Sequence, residues 1–276
     1  MQMIYHYLLI KKEVMKMKKM LKKIIVIYFI ALNTIFAEKI LLTSGEWGPY
    51  MSNRLYHGGF VTDVIINAFK AVNVDVEIEY YPWGRSYAYA KEGEVNKKNY
   101  NGTLVWIYTP ERAEYFYYSD IVLSENVVLF YLKENDYEFE KIEDLKGLRI
   151  GGTLHTVYPV LEQAEKEGII KIIRDDYYEN LFRKLLTKRV DAIPYLKNVG
   201  LFYIRNSLIE NDRKKIIYSK NSISIKEYHL ILNRKDSNNL KLIKKFNEEL
   251  KIIKENGVYE KLKKDFENGK YLEYIK

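Results

Sequence analysis

Thr109, Pro110, Glu111 and Arg112 stand in a row directly after the apolar stretch 102–108. Threonine is a good N-cap, and proline suits the first helical position, where its missing N–H costs nothing. The segment therefore reads as a β-strand that ends in a short helix. Unpaired N–H groups at a helix start attract anions, and Arg112 adds a planar, permanently charged fork beside them. The chemistry indicated is capture of a carboxylate or a similar anion. The plainer alternative is an ordinary capped helix with a surface arginine.

A second turn, Gly151-Gly152-Thr153-Leu154-His155-Thr156, follows a strand and precedes a helix, which again aims backbone N–H groups outward. Thr156 is read either as part of that grip or as a simple cap. The turn lacks a Gly-Lys-Ser/Thr ending, so it is not a nucleotide loop. His155 stands far in sequence from His57 and His229, so no metal site is expected. Trp47, Tyr50, Trp83, Trp106 and Tyr108 fall at or near strand ends, where they either fill a core or wall a cleft. Glu46 and Tyr195 occupy similar positions and complete the candidate set.

The elements that must position these residues alternate strand and helix. Apolar residues at 60, 61, 64, 65, 68, 69 and 72 have helical spacing, and Val74, Val76, Ile78 and Tyr80 alternate with acids as a half-buried strand does. A helix over 85–92 is stopped by Gly93. The pattern repeats: strand 148–152, helix 156–167 closed by Gly168, strand 169–173, helix 177–188, strand 190–193, helix 199–207. A helical tail covers 237–266, broken at Gly257. This predicts an α/β fold of two α/β domains joined by a two-strand hinge, at 127–133 and 228–233, with a ligand cleft between them. Ligands in such sheets bind beyond the carboxyl ends of strands. The expected boundaries are 38–130 plus 232–276 for domain 1 and 131–231 for domain 2.

Residues 1–37 read as a signal peptide: lysines at 16, 18, 19, 22 and 23, an apolar run at 24–32 too short to span a membrane comfortably, and Ala37 for cleavage. The leader's seven lysines and one glutamate account for six of the chain's eight net positive charges, which leaves two for residues 38–276. Such a balance gives no reason to expect a nucleic-acid partner. The chain has no cysteine, which excludes a disulfide and a lipid-anchored cysteine. The expectation is a soluble monomer in the periplasm, not a lipoprotein, with no cofactor.

The order of short motifs resembles the periplasmic solute-binding proteins of polar-amino-acid ABC importers, family 3. These motifs are Gly45-Glu46-Trp47-Gly48-Pro49-Tyr50, Gly58-Gly59-Phe60, Tyr81-Pro82-Trp83, Asn101-Gly102, Thr109-Pro110-Glu111-Arg112, Tyr118-Ser119-Asp120, Asp144 to Gly151 and Arg189-Val190-Asp191-Ala192. The resemblance implies a type II-like binding fold in which Arg112 holds the ligand's carboxylate and the turn at Thr153 gives it a second grip. It implies a small-molecule ligand, taken up by domain closure, and an inner-membrane ABC permease as partner. The chain departs from the family where an acid usually follows the Val-Asp-Ala strand to pair with an ammonium, since neither Tyr195 nor Leu196 is acidic. An ordinary α-amino-acid ligand is therefore in question.

Two other functions fit the same residues. A sensor subunit would report ligand occupancy to a membrane receptor. A dehydratase-like enzyme would need a positioned acid–base pair, for which Glu46 with His155 is the one pair worth testing.

Overall fold

The computed structural model describes residues 15–21, 38–135, 137–154 and 156–272. The chain divides into two units, Met1–Glu38 and Lys39–Lys276. In the first, residues 15–21 form an exposed helix, α1, while the apolar run at 24–32 and Ala37 lie outside the described residues. Among the described residues no helix is long and apolar enough to cross a membrane.

The remaining chain begins with β1 (Glu38–Ser44), α2 (Phe60–Ala71), β2 (Val74–Tyr80), α3 (Trp83–Glu92), the short pair β3 (Glu94–Val95) and β4 (Lys98–Asn99), and β5 (Gly102–Trp106). Then come α4 (Pro110–Tyr115), β6 (Phe116–Leu132), β7 (Arg149–Thr153), α5 (Pro159–Lys166), β8 (Lys171–Asp175), α6 (Tyr178–Leu186) and β9 (Ala192–Leu196). It ends with α7 (Lys197–Ser207), α8 (Glu210–Arg213), β10 (Ile216–Asn233), α9 (Asn238–Glu255) and α10 (Val258–Glu267).

Eight strands form one sheet in the order β2-β1-β5-β10-β6-β9-β7-β8. β1 and β5 run parallel, as do β7 with β8 and β7 with β9. The centre is antiparallel: β10 pairs with β5 and β6, and β6 pairs with β9. The two expected joining segments are parts of strands 17 and 18 residues long, β6 and β10. They pair from Phe116↔Asn233 to Leu132↔Ile216 with several register shifts.

Apolar cores lie at both ends of this ladder. At one end α2, α9 and β5 bury Phe60, Val64, Phe69, Leu104, Leu242 and Phe246. At the other, Leu129, Ile150 and Leu161 form one cluster, and Phe130, Leu181, Phe182 and Ile193 form a second. The amphipathic spacing of α2 is the reason it packs as it does: the residues at 60, 61, 64, 65, 68 and 69 are its buried face.

Several boundaries differ from the sequence expectation. The helix expected from Thr156 begins at Pro159, which takes the first helical position after Tyr158. The strand expected over 169–173 is β8, set two residues later, because Gly147 N–H bonds Ile169 O and Ile169 N–H bonds Ala164 O, which uses that residue to close the helix. β9 runs on to Leu196 because it pairs with β6 as far as Val127.

Two constraints hold β5 and β2 in place. At Gly102 a Cβ would stand 2.1 Å from the Ile231 carbonyl oxygen and 2.8 Å from Leu232 Cα. Only glycine lets β10 approach so closely. At the end of β2, Glu79 accepts from Lys98 Nζ (2.5 Å), Tyr81 Oη (2.5 Å) and Tyr100 Oη (2.8 Å). These donors, the lysine first, hold its carboxyl down at about 2.

Gly102→Ala should destabilise the fold by about 3 kcal/mol or more, since backbone rather than a flexible side chain must move; a thermal or urea unfolding midpoint equal to wild type would contradict this. The Glu79 cluster makes a pH prediction. Its folded pKa lies below the unfolded value near 4.5, so its stabilisation is complete above that value and lost as pH falls towards 2. Unfolding measured from pH 6 to pH 2.5 should steepen through this window, and Glu79→Gln should flatten it.

Candidate functional site

β5 carries the site. Thr103 Oγ1 is held by a bond to Thr43 O (3.0 Å), and Trp106 Nε1–H donates to Thr103 Oγ1 (3.3 Å). This fixes the indole at the end of the strand. Trp83 meets it edge-on at 5.3 Å and 89°. Trp83 can lie there because Gly45 has no side chain: a Cβ would fall 2.3 Å from the indole ring.

After β5 the chain turns into α4 as the sequence predicts. Thr109 Oγ1 accepts from Arg112 N–H (3.2 Å), with Pro110 at the first helical position. α4 has only six residues. Its dipole is correspondingly weak, so the charge at this end is that of Arg112. The guanidinium lies over the Trp106 ring at 4.8 Å and donates to Ile107 O at 3.2 Å. Cation–π contact of this kind contributes about 0.5–2 kcal/mol and fixes the arginine's direction. Among the described residues Arg112 forms no ion pair.

Arg112 opens onto a cavity of about 360 Å³, lined by Trp47, Trp83, Val105, Trp106, Ile107, Leu196 and Tyr228. All three tryptophans of the chain line it. Trp47 packs on Tyr228 at 4.8 Å and on Tyr50 at 4.9 Å. Burial pushes the Tyr228 phenol well above its usual range, so Tyr228 brings no charge. Arg112 is the only ionisable side chain in the lining with a charge at neutral pH.

Of the residues singled out from sequence, Trp47, Trp83, Trp106 and Arg112 come together here, with Thr109 capping the turn that carries the arginine. Tyr50 is 1% exposed, stacked on Phe266 at 5.2 Å, and its hydroxyl accepts from Asn198 Nδ2. It backs Trp47 and does not itself line this cavity. Glu46 is exposed, accepts from Asn53 N–H and stays outside the cavity lining, since the turn after Gly45 points it away. Tyr108 is 58% exposed against Tyr118, also outside the lining.

The second turn is differently built from its expected form. Thr153 N–H donates to Tyr158 Oη (3.1 Å), Leu154 N–H to Asp175 O (2.9 Å) and Thr156 N–H to Thr153 O. The backbone N–H groups of Thr153, Leu154 and Thr156 are thus occupied. Thr156 caps no helix and instead bonds Thr153 Oγ1. Arg174 donates to Thr153 O and Thr156 O and pairs with Glu162, which ties the turn down. His155 lies outside the described residues. Tyr195 is stacked on Tyr178 at 3.6 Å, and Tyr178 in turn bonds Tyr158.

Val105 and Tyr228 are the lining residues that sequence reasoning did not place. Leu196 falls in the strand-end segment 194–197 that the sequence marks as part of the site, where it is noted for the acid it lacks. Tyr228 sits beside a register shift in β10, and such bulges re-aim side chains.

Removing the cap should loosen Arg112. Thr109→Ala is expected to cost about 1 kcal/mol of stability, read as a lower unfolding midpoint; an unchanged midpoint would show that the cap does not hold this turn.

The fold has many solved counterparts. It is similar to the amino acid ABC transporter substrate-binding protein AbpA from Streptococcus pneumoniae Canada MDR_19A bound to L-arginine (TM-score 0.56, 14% identity, 82% of this chain and 93% of that one). It is similar to a histidine kinase sensor domain with similarity to periplasmic binding proteins (0.59, 17%, 87% and 99%). It is similar also to the ancestral amino acid-binding protein AncCDT-1, a precursor of cyclohexadienyl dehydratase (0.54, 20%, 82% and 94%). These likenesses place the chain in the two-lobed α/β class of periplasmic binding proteins. No curated protein matches its sequence. The model of the bacterial extracellular solute-binding proteins, family 3, matches residues 41–269, and the chain belongs to that family.

Proposed function

We propose that this chain is the extracytoplasmic solute-binding protein of an ABC importer, and that it captures a small carboxylate-bearing solute between its two lobes. The observation that carries the reading is Arg112: a half-buried guanidinium, stacked on Trp106, with no ion-pair partner among the described residues and a cavity in front of it. A charge-assisted bidentate bond to a carboxylate in a largely apolar cavity is a strong anchor. A ligand held from both ends of the β6–β10 ladder would favour the closed arrangement by its differential contacts, and a permease would recognise that arrangement. The domain boundaries 38–130 plus 232–276 and 131–231, periplasmic location behind a cleaved leader, and a monomeric state belong to the same proposal.

Two of the similar structures keep other readings in view. The likeness to a histidine kinase sensor domain supports a sensory role, in which occupancy is reported to a receptor. A dehydratase-like reaction would need an acid–base pair in the cavity, and the lining offers no carboxylate or histidine among the described residues. His155, one of the two residues named for such a pair, lies outside the described residues.

Arg112→Ala should weaken ligand binding at least tenfold, a loss of about 1.4 kcal/mol or more, with Arg112→Lys recovering part of it. Titration calorimetry on residues 38–276 with the cognate ligand measures this, and unchanged affinity would sink the carboxylate clamp. Loss of solute uptake on deleting the gene would favour transport, whereas loss of a transcriptional response with uptake intact would favour sensing.

A further inference from the structure

The cavity's lining goes further than a carboxylate clamp. Beyond Arg112 its walls are three indoles, the Tyr228 phenol, and the side chains of Val105, Ile107 and Leu196. Among the described residues no carboxylate lines the cavity, and three from neighbouring segments are engaged elsewhere. Glu46 is turned outward to Asn53. Glu125 is 4% exposed and holds Asn198 through its N–H (2.7 Å) and Nδ2 (3.2 Å). Asp175 is bound to Lys184 and Asn180.

From this we infer that the ligand is an apolar, aromatic carboxylate without an amino group, held by Arg112 at its charged end and by the indoles around its ring; the inference rests on the solute-binding reading above. The reasoning is one of charge balance. A carboxylate neutralises the cavity's one cation. An ammonium on the same ligand would bring a second cation close to Arg112, among walls that offer it no anion, and an unpaired buried charge is costly. The Trp106 face is already covered by the guanidinium and is not free to hold an ammonium. A polar aliphatic acid would leave hydroxyl or amide groups facing indole and leucine, with few partners for them. A flat ring instead meets Trp47, Trp83 and Tyr228 in the tilted and edge-on geometries that those rings already adopt with one another. Discrimination rests on that uncompensated charge, since an apolar pocket by itself rejects an added neutral polar group only weakly.

The test uses 3-phenylpropanoate and L-phenylalanine, which differ by the ammonium alone, with phenethylamine, L-arginine and succinate as further probes. Since all three tryptophans line the cavity, their fluorescence reports binding directly, and calorimetry supplies the affinity. The expected result is that 3-phenylpropanoate binds at least tenfold more tightly than L-phenylalanine, with a tryptophan response that Arg112→Ala abolishes. Leu196→Asp, checked for folding by circular dichroism, should reverse the preference by supplying the missing anion; should it not fold, Leu196→Asn, which offers an acceptor without a charge, should narrow the preference without reversing it. Tighter binding of L-phenylalanine, L-arginine or succinate through Arg112 would overturn the aromatic, amine-free assignment and leave the solute-binding reading intact. Preferred binding of phenethylamine, or a response indifferent to Arg112→Ala, would overturn the assignment together with the carboxylate clamp.

Discussion

The antiparallel ladder between β6 and β10 is the constraint on which the rest of the structure depends. It runs the full length of both strands, and each half of the sheet is added to one of its flanks: β5, β1 and β2 beside β10, and β9, β7 and β8 beside β6. The candidate site inherits its geometry from this arrangement. Trp106 is paired with His229 of β10, Leu196 with Val127 of β6, and Tyr228 with Leu123 within the ladder itself. Residues more than 120 positions apart therefore face one cavity because two strands are in register. The register shifts around Tyr228 and His229 twist the ladder at this point. A continuous, undistorted ladder would set the lining residues on strict alternation, which a single cavity wall does not require.

Behind the site, Glu125 ties the ladder to both flanks. Its carboxylate accepts from the backbone N–H of Asn198 in the first turn of α7, an N–H with no partner inside that helix. It also accepts from Asn198 Nδ2, which in turn donates to the hydroxyl of Tyr50. Burial raises the carboxyl above its ordinary range, and the donors from Tyr50 and Asn198 offset that only in part. A buried acid is a net cost unless it fixes something. Here it fixes the start of α7, and through Tyr50 the orientation of Trp47, so the cavity's indole wall is positioned by a polar network outside its lining.

The local elements were legible because their signals are local. The helical spacing of α2, the alternation of β2 and the Thr-Pro start of α4 each depend on neighbours within one or two turns, and each is found where the sequence places it. What depended on distant chain was not legible. Tyr50, beside Gly48-Pro49, reads equally as a core filler or as a wall of the cleft. It is buried because Phe266, more than 200 positions later in α10, stacks against it. The turn at Thr153 reads as an open anion grip, and its N–H groups are taken by Tyr158 and Asp175, whose approach is set by α5 and by the β7–β8 pairing. Arg112 and Trp106 were legible as a pair because the same short segment carries both. Tyr228 was not, since no sequence pattern says which way a strand turns at a bulge.

The asymmetry between the two turns gives the site its character. One turn carries an arginine stacked on an aromatic face, while the other is closed on itself by Arg174, Glu162 and two tyrosines. An arginine held against an indole has lost much of its rotamer freedom before any ligand arrives, so less ordering remains for binding to oppose. Its cation–π contact leaves the edges of the guanidinium fork available, because stacking uses the face and hydrogen bonding uses the N–H edges. The bond to Ile107 O occupies one donor of five. What remains is a directed, partly desolvated cation at the mouth of an apolar chamber, and electrostatic attraction strengthens as water is displaced from such a place. A clamp of this form takes its charge from one turn and its shape from the aromatic walls. Leu196 adds an apolar side chain to that lining and no counter-charge.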